Sequence, residues 1–146
     1  MANTSAMCTS FKQEILVATH NFTASTGNTF KIALYDSSAT LGASTTAYSS
    51  SEEITNTSRT AYTAGGATLT SVTPTTSGTT ACCDFAPDIS WTSASFTANA
   101  ALIYNSSASN KAVAAIAFGG DKTVTNGTFT IQFPTADASD AIIRIA

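Results

Sequence analysis

The stretch from Lys111 to Pro134, KAVAAIAFGGDKTVTNGTFTIQFP, constrains the fold more than any other part of the chain. Val113 to Phe118 is an unbroken apolar run, the composition of a strand covered on both faces. Phe129, Ile131 and Phe133 alternate with Thr128, Thr130 and Gln132, which is the period of a half-buried strand. Between the two runs stand Gly119-Gly120-Asp121-Lys122 and Asn126-Gly127. Asn-Gly favours the positive φ angles of a type I′ turn, so the stretch predicts a hairpin whose rim presents Asp121, Lys122 and Thr123. Those three are the first candidate protein contacts. Neither arm carries a catalytic group.

The surface around such strands is polar by hydroxyl and not by charge. Only 10% of the residues are charged, against about 25% in ordinary soluble domains. Ser and Thr fill the difference, and β-branched Thr suits a pleated strand. Six scattered basic residues and a net charge of −3 give no footprint for nucleic acid. No apolar run is long enough to cross a bilayer. The first twenty residues lack the basic start and apolar core of a signal peptide, so the expectation is that the protein is made in a cytosol or that its export is not encoded here. In so Ser/Thr-rich a chain the Asn-x-Ser/Thr sequons at Asn3, Asn21, Asn56, Asn105 and Asn126 are expected by chance.

At 146 residues the chain fits one domain. Residues 1–10 are polar and unpatterned, an expected flexible arm. A helix is predicted from Phe11 to His20: Ser10 and Gln13 have capping-box spacing, Glu14 falls in the first turn, and Phe11, Ile15, Leu16 and Phe22 form an apolar stripe. His20 ends it, with its ring bonded locally. Asn28 to Tyr35 reads as a strand. Ala39 to Arg59 is a long excursion that packs as a surface loop or carries a contact, with Tyr48 and Ile54 as anchors and a weak helical turn near Ser50. Gly65-Gly66 marks a bend, and Val72 to Gly78 a turn around Pro74. Pro87 makes the Cys82 to Trp91 run an edge strand or breaks it. Ala100 to Tyr104 and Asp140 to Ala146 supply further strands. Short strands at this spacing predict an all-β, antiparallel sandwich or jelly-roll-like domain over residues 11–146, with one short N-terminal helix.

Signatures of chemistry are missing or weak. There is no G-x-S-x-G elbow, and Gly119-Gly120-Asp121-Lys122-Thr123 lacks phosphate-loop spacing. Cys8, Cys82 and Cys83 with one His have no zinc spacing, and are expected to be reduced, buried fillers. Asp84 and Asp88, near Trp91, are the one pair with the make-up of a glycosidase's two carboxylates, although turn carboxylates of this kind are commonly solvated. Glu52-Glu53 reads as a solvated loop face. No catalytic, cofactor or metal residue is assigned, and Tyr48, Glu52 and Glu53 join Asp121, Lys122 and Thr123 as candidate contacts.

Several phrases carry a resemblance: TFKIALYDSSATL, TTAY followed by EEI, AYTAGGATLT, SWTSASFTANAALIYN and FGGDKTVTNGTFTIQFP. Together they resemble small virion structural proteins of tailed bacteriophages, from Phe11 onward. That resemblance implies a non-enzymatic capsid cement or decoration protein on the outer shell of the virion, made in the host bacterial cytoplasm. Its partners would be the major capsid protein and sister copies in a homodimer or homotrimer. No nucleic acid, membrane, cofactor or small-molecule substrate is expected. The alternative is a tail, fibre or adhesin module that stacks host glycans on Tyr48, Tyr62 and Tyr104.

Overall fold

The computed structural model describes residues 2–54 and 61–146. The elements run β1 (Ala6–Met7), α1 (Thr9–Leu16), β2 (Phe30–Tyr35), β3 (Ala67–Thr68), β4 (Ser71–Ser77), β5 (Thr80–Phe85), β6 (Ile89–Asn105), β7 (Lys111–Ile131) and β8 (Ile143–Ile145). They form two antiparallel sheets, ordered β1-β7-β6-β2-β3 and β4-β5-β8. The chain is thus an all-β sandwich with one short helix, as its periodicity predicts.

One core joins the sheets. Phe30 on β2 meets Phe85 on β5 at 5.9 Å between ring centroids, and Phe22 stacks on Phe30 at 4.2 Å. Within the larger sheet, big side chains lie opposite small ones: Leu34 faces Ala101, Leu102 faces Ala115, and Ile103 faces Ala114. Ile32, Leu34, Leu102, Ile103 and Val113 are fully buried. Each such side chain contributes about 1.5–3 kcal/mol on leaving water. The Ala-rich segments leave room for that interdigitation, which explains why β2 is buried along nearly its whole length and does not alternate.

The predicted hairpin from Lys111 to Pro134 is one strand. β7 runs 21 residues against the 17 of β6, and the chain reverses before it, where Ser109 and Asn110 have φ of 53° and 58°. Gly119 (φ 74°), Gly120 (φ 140°) and Asn126 (φ 46°) sit at breaks in the β6–β7 register. Positive φ serves a β-bulge as well as a tight turn. Because β6 offers pairing on both sides of each break, the chain bulges and continues.

Other boundaries move for similar tertiary reasons. Val72 to Gly78 is not a turn: Ser71–Ser77 form β4, an edge strand, and Pro74 occupies a bulge between Val72 and Thr75 where no amide proton is needed. The run Cys82 to Trp91 breaks at Pro87, between β5 and β6. The helix starts at Thr9, with Cys8 at its cap position and no side-chain cap, and the chain leaves it at Ala18 (φ 60°). Ser10 and Glu14 therefore lie two residues deeper in the helix than expected, and Leu16 is 85% exposed.

Residues 2–10 are not a free arm in this structure. Ala6 and Met7 pair with Ala115 and Ala114, Cys8 is fully buried, and Asn3 bonds Asn99 and Leu41. Asn56 and the end of the Ala39–Arg59 excursion lie outside the described residues.

Candidate interaction surface

Two of the expected contact residues belong to a buried clamp. Glu53 is 6% exposed, not solvated. One oxygen accepts from the Tyr62 hydroxyl at 2.5 Å and the Gly65 amide at 2.7 Å; the other accepts from Tyr48 at 2.6 Å. Tyr104 stacks on Tyr48 at 4.7 Å and donates to the Gly65 carbonyl at 2.7 Å. Gly66 (φ 75°) runs so close to β2 that a Cβ there would lie 1.8 Å from the Ile32 carbonyl oxygen. The cluster straps the excursion after β2 back onto β2 and β6, with no helical turn near Ser50. Burial pushes the Tyr104 phenol up to about 12, and raises Tyr35, Tyr48 and Tyr62 further, so these groups hold protons and act as donors. Tyr62 and Tyr104 are internal and are not rim rings for sugars. Glu52 alone stays exposed, beside an open hollow of about 480 Å³ lined largely by Ser and Thr.

A second buried network ties α1 to the sheet. Glu14 accepts from Lys111 at 2.9 Å and pairs with His20 Nε2 at 2.7 Å. Asn105 Nδ2 lies 3.0 Å from both His20 Nδ1 and Asn28 Oδ1, while its Oδ1 accepts the Ser107 amide. The Ser107 bond fixes the amide orientation, which makes His20 Nδ1 the acceptor and leaves Nε2–H to donate to Glu14. Burial alone would raise the Glu14 carboxyl, but the Lys111 and His20 bonds prevail and hold it below its ordinary value. Every polar group here has a partner, so the network reads as a tether and not as an acid–base site.

The remaining candidates do not assemble. Asp84 is buried; burial raises its carboxyl, offset only in part by the amides of Phe85 and Ile142. Its Oδ2 has no hydrogen-bond partner. Asp88 is exposed and accepts the Phe133 amide at 2.8 Å, so the two carboxylates do not flank a shared cleft. Cys8, Cys82 and Cys83 are buried and free; burial pushes Cys8 up to about 11 and Cys83 up to about 12, which makes them poor nucleophiles. Among the described residues no three His, Cys, Asp or Glu side chains gather, and no helix is long and apolar enough to cross a membrane.

What stands out is the outer half of the β6–β7 hairpin. β2 covers β6 only from Ala100 to Asn105, and β1 covers β7 only at Ala114 and Ala115. Beyond them, Ile89–Ala98 and Lys122–Ile131 continue as a two-stranded ribbon. One face is a cross-strand ladder of polar side chains: Ser90 with Thr130 at 2.8 Å, Thr97 with Thr123 at 2.8 Å, and Asn99 donating to Asp121 at 2.8 Å. The other carries Trp91, Phe96, Phe118 and Phe129, linked ring to ring at 5.0–6.4 Å.

Asp121, Lys122 and Thr123 are all exposed, yet they are not one patch. Asp121 and Thr123 belong to the ladder, and strand alternation sends Lys122 to the opposite face. Ladder members Ser90, Thr97, Asn99 and Thr130 escape sequence reading, although the alternating hydroxyls in both strands are their signal. Such an array offers many neutral donors and acceptors at fixed spacing and little charge to desolvate.

No protein-family model, curated protein or solved structure matches the chain.

Proposed function

We propose that this protein is a non-enzymatic structural component of a tailed-phage particle. In this reading it is a cement protein on the outer face of the capsid that bridges neighbouring capsomers, working with sister copies. The hydroxyl ladder on the β6–β7 ribbon carries the proposal. A protein that beds against a shell in many copies must exchange water for protein contacts over broad areas, and hydroxyls lose less than ions in that exchange. Weak contacts repeated over a lattice then add through multivalency. The resemblance in phrasing to virion proteins points the same way.

The glycan-binding alternative rested on a rim of exposed tyrosines. With Tyr62 and Tyr104 internal, no observation favours it. The test is direct: purified protein mixed with expanded capsids should bind at fixed stoichiometry, and particles lacking it should burst at lower temperature. Particles of equal thermal stability with and without the protein would overturn the reading.

A further inference from the structure

We propose that the outer edge of β8 is a docking site for an extended segment of another protein, aliphatic in character and carrying a carboxylate. β8 ends the order β4-β5-β8. Among the described residues, no backbone–backbone hydrogen bond outside the ladders reaches residues 142–146, and the Ile142 amide is taken by Asp84. Open sheet edges invite strand addition, and proteins commonly block them with proline, bulges or charge. The opposite edge of this sheet is blocked in that way by Pro74 and its bulge, and the β6–β7 ribbon is bulged along its length. β8 carries no proline and no bulge; its short length and the charge of Arg144 are what restrict pairing there. Its register against β5 is unbroken, from Ala81 opposite Ile145 to Cys83 opposite Ile143.

Two apolar hollows adjoin this edge. The smaller, about 130 Å³, is lined by Phe11, Ile15, Pro74, Ile143 and Ile145 among others. It is too small for a free organic ligand and suits one aliphatic side chain. The larger, about 340 Å³, is bounded by Met7, Ile116 and Ile142. The exposed large apolar side chains among the described residues are Leu16, Val17 and Ile145; the first two follow Ile15 at the end of α1. Strand addition draws affinity from backbone pairing and specificity from pockets that take alternate side chains, and this edge supplies both.

Charge selects the occupant. No charged residue lines either hollow. Arg144 stands at the centre of β8, and its guanidinium reaches the carbonyls of Ala138 and Ser139. It forms no ion pair with a carboxylate among the described residues. A sister copy pairing β8 with β8 antiparallel would bring two such cations together, whereas an acidic residue on a foreign segment would neutralise one. This edge is separate from the ribbon, and the inference does not depend on the cement reading.

The probe is the peptide acetyl-Val-Thr-Ile-Glu-Ile-Thr-Val-amide, titrated into the full chain and followed by amide chemical shifts. Saturable binding is expected, with shifts concentrated at residues 142–146 and Ile15. Exchanging the peptide's Glu for Lys should weaken binding about fivefold, and Arg144→Glu, on an exposed side chain, should reverse that preference. N-methylation of alternate peptide amides should abolish binding. Failure to bind at millimolar peptide, equal binding of the N-methylated peptide, or self-association mapped to β8 by sedimentation would each overturn the proposal.

Discussion

Glu53 accepts the phenolic hydroxyl of Tyr62 at 2.5 Å, inside a pair of glutamates that reads from sequence as solvated. The bond joins the excursion that follows β2 to the segment that leads into β3, and Tyr62 passes the connection on by accepting the Leu34 amide at 2.9 Å. Glu53→Ala would remove the carboxylate that accepts from Tyr48, Tyr62 and the Gly65 amide. A loss of about 3 kcal/mol is expected in urea unfolding. Glu53→Gln should lose less, because the Tyr48 hydroxyl can turn to accept from the new amide. Equal losses for both variants would mean that the charge, and not the acceptor geometry, holds the strap.

Ser10→Ala separates sequence from structure by its sign. A capping-box serine would cost about 1 kcal/mol on removal. In the structure Ser10 is inside α1, and its hydroxyl is buried without a partner. Replacing it with the best helix former should therefore stabilise the protein by about 1 kcal/mol. A raised urea midpoint with an unchanged slope is the expected result.

The two glycine bends should respond very differently to alanine. At Gly66 a Cβ would collide with the backbone of Ile32, and φ is 75°; Gly66→Ala should prevent folding or cost more than about 4 kcal/mol. Gly78 has φ of 61° and open space around it, so Gly78→Ala should cost only about 1 kcal/mol, the left-handed backbone penalty. Thermal melts of the two variants make the comparison.

Two carboxyls give opposite pH signatures. Glu14 is held below its ordinary value of 4.5, so its contribution is present above that value and is lost as pH falls through the folded one. Asp84 is raised above its ordinary 3.8. Its contribution is fully present below that value and is lost as pH rises through the folded one, when a charge appears in a buried site. Asp84→Asn should therefore stabilise the protein at pH 7 and give little at pH 3. Glu14→Gln should destabilise it at pH 7, with the difference fading in acid. Unfolding free energies at both pH values test each sign.

The ribbon variants bear on function. Asp121→Ala combined with Thr97→Val and Thr123→Val removes polar groups from one exposed face without touching the core. Capsid binding should fall about tenfold or more, while the melting temperature stays within a few degrees. Lys122→Ala, on the other face, should bind as the unmodified chain does. If Lys122→Ala is the damaging change, the contact lies on the aromatic face.

Periodicity was enough for the class of the fold and for the strands at the buried centre of the larger sheet, but not for β1, β3 or β4. Phe129, Ile131 and Phe133 alternate as their spacing demands, and the Ala-rich segments are the buried centre of the larger sheet. Those are local properties, set by side-chain volume and the pleat. Whether Gly119-Gly120 and Asn126-Gly127 reverse the chain or merely bulge it was not local, because the same positive φ serves both and the length of β6 decides. Pro74 could likewise be placed only with its sheet neighbours. Glu53 and Glu14 show the same division in the electrostatics: one reads as a solvated loop carboxylate and the other as a first-turn helix residue until distant donors converge on them. Tyr62, nine positions away from Glu53, and Lys111, 97 positions away from Glu14, are brought in only by the sheets closing. The stretch from Lys111 to Pro134 determined by composition that this protein would be built on extended, half-apolar strands. Only the tertiary structure made it a single strand whose hydroxyls pair across to β6, because cross-strand register is a relation between two segments and is written in neither alone.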